Sequence, residues 1–146
     1  HRLTFPWRYT LVSDERRHAL IDLAIELKKE KDPSFSKIKE VGLRKRLGEP
    51  SHWVALGLKK NPDPSIFQED IATLGCSVQT ASLYLWDKGI SSKWSTGKFS
   101  THQKTYEILG LDSEEIFLMG ALFIGIADIM PKASMRPPLK EILKRE

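Results

Sequence analysis

A chain of 146 residues is the size of one domain, and its 40% hydrophobic and 29% charged residues are those of a globular protein rather than a disordered or fibrous one. The longest apolar run, residues 116–127, falls short of the ~20 residues a membrane-spanning helix needs, and residues 1–12 lack the parts of a signal peptide. The 23 basic and 19 acidic residues are mostly interspersed, giving a net +4 without a basic stripe for nucleic acid, and the single cysteine, Cys76, excludes an internal disulfide and fits a cytoplasmic setting.

The chain opens on His1 rather than Met, in mid-pattern, as expected of a fragment or processed product. Residues 7–12 (WRYTLV) are rich in β-branched and aromatic side chains and predict a strand. Ser13 then caps a helix with Asp14 and Glu15 in its first turn, an apolar face of Ala19, Leu20, Leu23, Ala24 and Leu27, and Lys28, Lys29 and Lys31 at its end. Asp32-Pro33 stops it. A weaker helix over 35–47 presents a basic outer face of Lys37, Lys39, Arg44, Lys45 and Arg46.

Residues 52–58 (HWVALGL) predict a buried strand, and Asn61-Pro62-Asp63-Pro64 a firm turn. A long helix over 65–88, closed by Gly89, carries a core stripe of Phe67, Ile71, Leu74, Val78, Ala81 and Leu85 and makes it the centre of the fold. Its second stripe of Ala72, Gly75, Cys76 and Ser82 would let a helix or a flat ligand approach the backbone. Residues 90–97 read as short and irregular, 100–109 as a small helix, and 116–126 as a buried strand. From Pro131 onward, three prolines and alternating apolar and basic residues predict an extended arm that must pack on something.

The four histidines and lone Cys76 have no metal-ligand spacing. No G-x-S-x-G or G-x-G-x-x-G is present, and Ser95-Thr96-Gly97-Lys98 fails as a phosphate loop because Ser92 and Phe99 stand where a glycine and a hydroxyl are needed. A DNA-binding helix-turn-helix over 70–89 would put Gly75 one place too early and an apolar segment, 80–86, against the bases. Chemistry, if any, therefore falls to a cofactor.

The motifs H-R-L-T-x-P-W-R-Y at the start, G-I-x-S-x-W-S-T-G after the long helix and P-K-A-x-x-R-P in the arm, in that order of elements, resemble the nitroreductase family of FMN enzymes. The resemblance covers nearly the whole chain and is least specific across 28–50. It implies a single α+β domain over 1–146, with a mixed or antiparallel sheet flanked by helices and a C-terminal arm, about 131–146, exchanged in a homodimer. It also implies FMN at the subunit interface, reduced by NAD(P)H and reducing a small electrophile such as a nitroaromatic or a quinone. Relatives that fragment or store flavin are the alternative.

By the same resemblance His1 and Arg2 lie beside the flavin, Trp94, Ser95, Thr96 and Gly97 present backbone to its ring, and Arg136 grips its phosphate. The family's usual opening helix, with an Arg-x-Ser-x-Arg-like segment, has no counterpart in this sequence. The chemistry agrees: fixed N–H donors stabilise charge that develops on a reduced flavin, Gly97 permits close backbone approach, and a phosphate suits a guanidinium.

Overall fold

The computed structural model describes residues 2–129, 132 and 134–143. The elements run β1 (Trp7–Leu11), α1 (Asp14–Lys31), α2 (Lys37–Gly48), β2 (His52–Lys59), α3 (Pro64–Asp87), β3 (Ser91–Ser95), α4 (Gln103–Leu109), β4 (Ile116–Gly125) and α5 (Leu139–Ile142), with one 3-10 turn at Lys98–Ser100. The strands form one antiparallel sheet in the order β1-β2-β4-β3. This is the expected α+β architecture, and the expected choice between mixed and antiparallel pairing resolves to antiparallel.

Local chemistry accounts for the boundaries. Ser13 accepts from the Arg16 amide at 3.4 Å to start α1, and Asp63 accepts from the Ser65 and Ile66 amides at 2.8 and 3.3 Å to start α3, with Pro64 in its first turn. Helix α3 then runs unbroken past Gly75 and is closed by Gly89 at φ +73°. A continuous helix has no turn at which a recognition helix could begin, so the helix-turn-helix alternative falls away.

Both faces of the sheet are covered. Helices α1, α2 and α4 pack on the face that carries Trp53 and Ala55 of β2 and Ile116, Leu118, Ala121 and Phe123 of β4. Helix α3 covers Leu56, Leu58 and Leu122 with Leu74 and Val78. On β4 the inward residues switch from even to odd numbers because the register jumps: Leu56 faces Gly120 and Gly57 faces Leu118, leaving Met119 as the extra residue of a bulge. Apolar side chains on both faces explain why 52–58 and 116–126 read as continuous apolar runs rather than alternating ones.

Three expectations need adjusting. Residues 90–97, expected to be irregular, contain β3, because β4 offers a second open edge and pairs Ser91–Ser95 with Ala121–Gly125. The helix expected over 100–109 divides into the 3-10 turn and α4, whose first turn is capped by His102 Nδ1 accepting from the Lys104 amide at 3.2 Å. The core stripe of α3 is narrower than its periodicity suggested. Leu74 and Val78 are buried, but Ala81 is exposed, as are Leu83, Tyr84 and Trp86 further along, so the larger core lies on the opposite face.

Helix α2 is fastened to α1 through one carboxylate. Glu40 is nearly enclosed and meets Lys29 of α1 at 2.9 Å, Lys37 at 3.1 Å and Arg44 at 4.0 Å, while Arg44 also reaches Asp22 of α1 at 2.8 Å. The hydrogen bonds from Lys29 and then Lys37 hold the Glu40 carboxyl below its ordinary pKa. A lowered folded-state pKa stabilises the fold fully above the ordinary glutamate value and loses that stabilisation as pH falls through the lowered one.

Two predictions follow from these contacts. Denaturant midpoints measured from about pH 6 to pH 3 should fall less steeply for Glu40→Gln than for the native chain within the window just below the ordinary glutamate pKa; parallel curves would dismiss the carboxylate as the fastening. Gly120 has φ +130°, and a Cβ there would stand 2.4 Å from the Ser95 carbonyl oxygen. Gly120→Ala should therefore cost about 2–4 kcal/mol of unfolding free energy, and a loss under about 0.5 kcal/mol would show that β3 can move away without consequence.

Candidate functional site

The segment that follows α3 is fixed from two sides. Within β3, Trp94 sends its indole N–H to the Met119 carbonyl at 3.2 Å, the carbonyl turned out by the bulge. Beyond β3, the Ser100 amide and hydroxyl both donate to the Gly97 carbonyl, at 2.8 and 2.7 Å, and the Thr105 hydroxyl donates to the Phe99 carbonyl. Ser100 and Thr105 are buried, so these bonds are sheltered from competing water. The Gly97 amide finds no backbone acceptor among the described residues. Gly97 itself has an ordinary φ of −60°, so what the glycine contributes is a missing side chain, since a Cβ would press on the Phe99 ring at 3.2 Å.

A cleft of about 530 Å³ opens beside this segment. One wall is the C-terminal half of α1 and the end of α2, through Ala24, Leu27, Leu43 and Leu47. The other is β3, the 97–99 turn and the end of β4, through Ser95, Gly97, Phe99 and Phe123. Phe99 and Phe123 rest on Trp53, with ring centroids 5.8 and 4.4 Å away. Trp53 is fully buried and its indole N–H has no acceptor among the described residues, a cost of about 1–3 kcal/mol that the burial of so large a ring offsets. The aromatic floor is thus backed by core. Among the described residues, Lys28, Lys31, Arg46, Lys93 and Lys98 line the cleft with a single carboxylate, Glu49.

Of the seven residues singled out by sequence, the structure brings two to the cleft, Ser95 and Gly97. Trp94 is committed to the bulge, and Thr96 is exposed beside the opening. Arg2 lies on the other face of the sheet, paired with Glu69 of α3 at 3.4 Å. Its neighbours are held there firmly: the Thr4 hydroxyl donates to the buried Asp70 at 2.5 Å, and the Pro6 carbonyl accepts from the Lys59 amide at 2.8 Å. Leu3 and Phe5 take left-handed φ values of 54° and 47°, a conformation that costs a side-chain-bearing residue about 1–3 kcal/mol and is found where surroundings over-determine it. Arg136 is exposed and away from the cleft lining. His1 lies outside the described residues.

The cations at the opening were the residues sequence reasoning passed over. Lys28 and Lys31 read as complements to the α1 dipole, and Arg46 as part of a solvated basic face. The signal was present in their number at one helix end and one outer face, but nothing in the spacing says that these two helix surfaces converge.

Comparison with known proteins bears on the family and the fold. A model of the nitroreductase family matches residues 4–126. The YfhC protein of Bacillus subtilis (strain 168), provisionally named an NAD(P)H nitroreductase, is 26% identical over 142 residues, which is 97% of this chain and 73% of that protein. The crystal structure of a nitroreductase-like family protein from Bacillus cereus matches with a TM-score of 0.81 at 23% identity, over 100% of this chain and 76% of that one. A variant of NfnB, an FMN- and NADPH-dependent nitroreductase from sphigopyxis sp. strain HMH, matches with a TM-score of 0.72 at 18% identity, over 97% of this chain and 79% of that one. At such identities the structures speak for the fold, and the family match over most of the sequence settles membership: the chain belongs to the nitroreductase family.

Proposed function

We propose that this chain is an FMN-dependent oxidoreductase that takes electrons from NAD(P)H and delivers them to a small electrophile, and that its flavin ring lies in the cleft against Gly97. The observation that carries the reading is the Gly97 amide, an unengaged donor at the edge of an apolar cleft large enough for a tricyclic ring. The rest of the lining fits the cofactor: a flat aromatic floor suits a flat ring, and the unpaired Lys93 and Lys98 beside Gly97 suit a phosphate. Bound there, FMN supplies hydride acceptance from the nicotinamide and its transfer onward.

The chain's own residues then have limited tasks. The Gly97 N–H, held in place through the Ser100 bonds to its carbonyl, offers a fixed donor where negative charge develops. Phe99, Phe123 and Leu47 exclude water from one side of the site, which strengthens that donor. Lys98 and Lys93 supply positive charge on the same wall. No side chain need act as a nucleophile.

The reading also needs a second subunit. Arg2 sits across the sheet from its own cleft, beside an α3 surface on which a Cβ at Gly75 would meet nothing and Leu83, Tyr84 and Trp86 are exposed. A homodimer formed on that surface would cover it and carry Arg2 toward the partner's cleft. The arm, with Leu139, Ile142 and Leu143 all exposed, would add to the same interface and bring in Arg136.

Flavin titration of the chain within its natural polypeptide tests the site. Gly97→Val should weaken FMN binding at least about tenfold, while Gly48→Ala, whose added Cβ meets nothing, should not change it. Equal affinities would remove the loop from the site. Light scattering tests the dimer: the native chain should run as a dimer at about micromolar concentration, and a chain ending at residue 130 as a monomer. A monomeric native chain, or a dimeric shortened one, would overturn the role given to the arm.

A further inference from the structure

Resting on that reading of the cleft, we propose that the electron acceptor is an aromatic anion, a ring bearing a carboxylate or comparable acid, recognised by the α1–α2 wall through Lys31 and Arg46. The reduction balances with a nitro group as the case in point. One hydride equivalent from the nicotinamide and one proton from solvent convert the nitro group to nitroso and release water.

The argument starts from which cations are already satisfied. Lys29, Lys37, Lys39, Arg44 and Lys104 are paired with Glu40, Asp32, Asp22 or Glu26. The side chains of Lys28, Lys31, Arg46, Lys93 and Lys98 make no ion pair or hydrogen bond among the described residues, yet they converge on one cleft whose described lining holds only Glu49 in opposition. Like charges gathered around low-dielectric walls repel one another, and they focus a positive potential into the space between. The floor they surround is apolar and aromatic. A charged rim over an aromatic floor is complementary to an aromatic acid.

One phosphate does not account for the set. The cations occupy opposing walls, Lys93 and Lys98 on the side of Gly97, and Lys28, Lys31 and Arg46 on the side of α1 and α2. A flavin seated against Gly97 takes its countercharge from the first wall, leaving the second to face whatever is brought to the ring. A nicotinamide donor carries its phosphates many bonds from its reacting ring, whereas an aromatic acid carries its charge on the ring itself, within reach of cations that line the same cleft as the aromatic floor.

The test uses flavin-loaded protein and two readouts. Calorimetry would compare para-toluate, which cannot be reduced, with neutral para-methylbenzyl alcohol. Steady-state kinetics would compare para-nitrobenzoate with para-nitrobenzyl alcohol, and NADPH with NADH. The native protein should favour the anion about tenfold in both binding and KM, less so as salt rises. Lys31→Gln/Arg46→Gln should reduce that preference below about threefold with flavin affinity unchanged, while Lys59→Gln/Lys60→Gln, with the same change in charge away from the cleft, should keep it. Equal binding of acid and alcohol by the native protein would overturn the proposal. So would a cleft variant that keeps its preference, one that loses flavin instead, or one that alters only the NADPH to NADH ratio. A native protein that takes up no flavin at all would instead sink the reading of the cleft itself, before any acid is added.

Discussion

The close approach of the Ser95 carbonyl to the Cα of Gly120 is the contact on which the rest of the site depends. No side chain fits there, since a Cβ would lie 2.4 Å from that oxygen and 3.0 Å from the Trp94 indole nitrogen. Gly120 follows the bulged Met119, whose carbonyl is thereby free to take the Trp94 N–H. Edge strand β3 is in this way drawn onto β4 to its last residue, and the chain must turn immediately afterwards. That turn delivers Phe99 to Trp53 and Phe123 and leaves Gly97 on the lining of the cleft. The same bulge exchanges the two faces of β4, so that Phe123 rather than Leu122 belongs to the α1 side. Cleft floor and loop position have one origin.

Electrostatics divides the two helices that form the other wall. A single exposed ion pair contributes little, but Glu40 is nearly enclosed and shared among Lys29, Lys37 and Arg44, which fixes α2 in one register on α1. Once that register is set, the cations one turn away face Glu49 as the only carboxylate of the described cleft lining, and the helical period carries Lys28, Lys31 and Arg46 round to the cleft. Paired and unpaired cations are thus neighbours in sequence with opposite roles. The first group closes the fold, and the second charges the opening that the closed fold creates.

Much of this was legible in the residues. Ser13, Asp63-Pro64 and Gly89 announced the ends of α1 and α3, and the apolar runs at 52–58 and 116–126 announced the two central strands, because caps and burial act locally. Strand β3 was not legible, since Ser-Ser-Lys-Trp-Ser has no alternation of its own and becomes a strand only because β4 has a free edge. The width of the α3 core stripe was overstated because periodicity identifies an apolar face without saying whether this chain or another covers it. The lining of the candidate cleft was partly legible: W-S-T-G contains Ser95 and Gly97, both of which line it, while the converging cations depended on how α1 and α2 are fastened.

The placement of Arg2 gives the remaining step. Leu3 and Phe5 are held at left-handed φ by bonds that the segment makes with α3 and β2, through Thr4 to Asp70 and Pro6 to Lys59. Such strain persists only where its surroundings hold it, and its usual use is to present a group in one fixed position. Here the group presented is turned away from the chain's own cleft and toward α3, along which Leu83, Tyr84 and Trp86 are exposed. In the proposed dimer the strain and the bare surface answer one requirement. A site assembled from two subunits needs each contribution to be rigid before they meet, because ordering a loop at the moment of binding would cost affinity for the cofactor. Preorganising residues 2–6 on that face is consistent with the requirement, and it accounts for left-handed φ at two side-chain-bearing residues that lie away from the lining of the chain's own cleft.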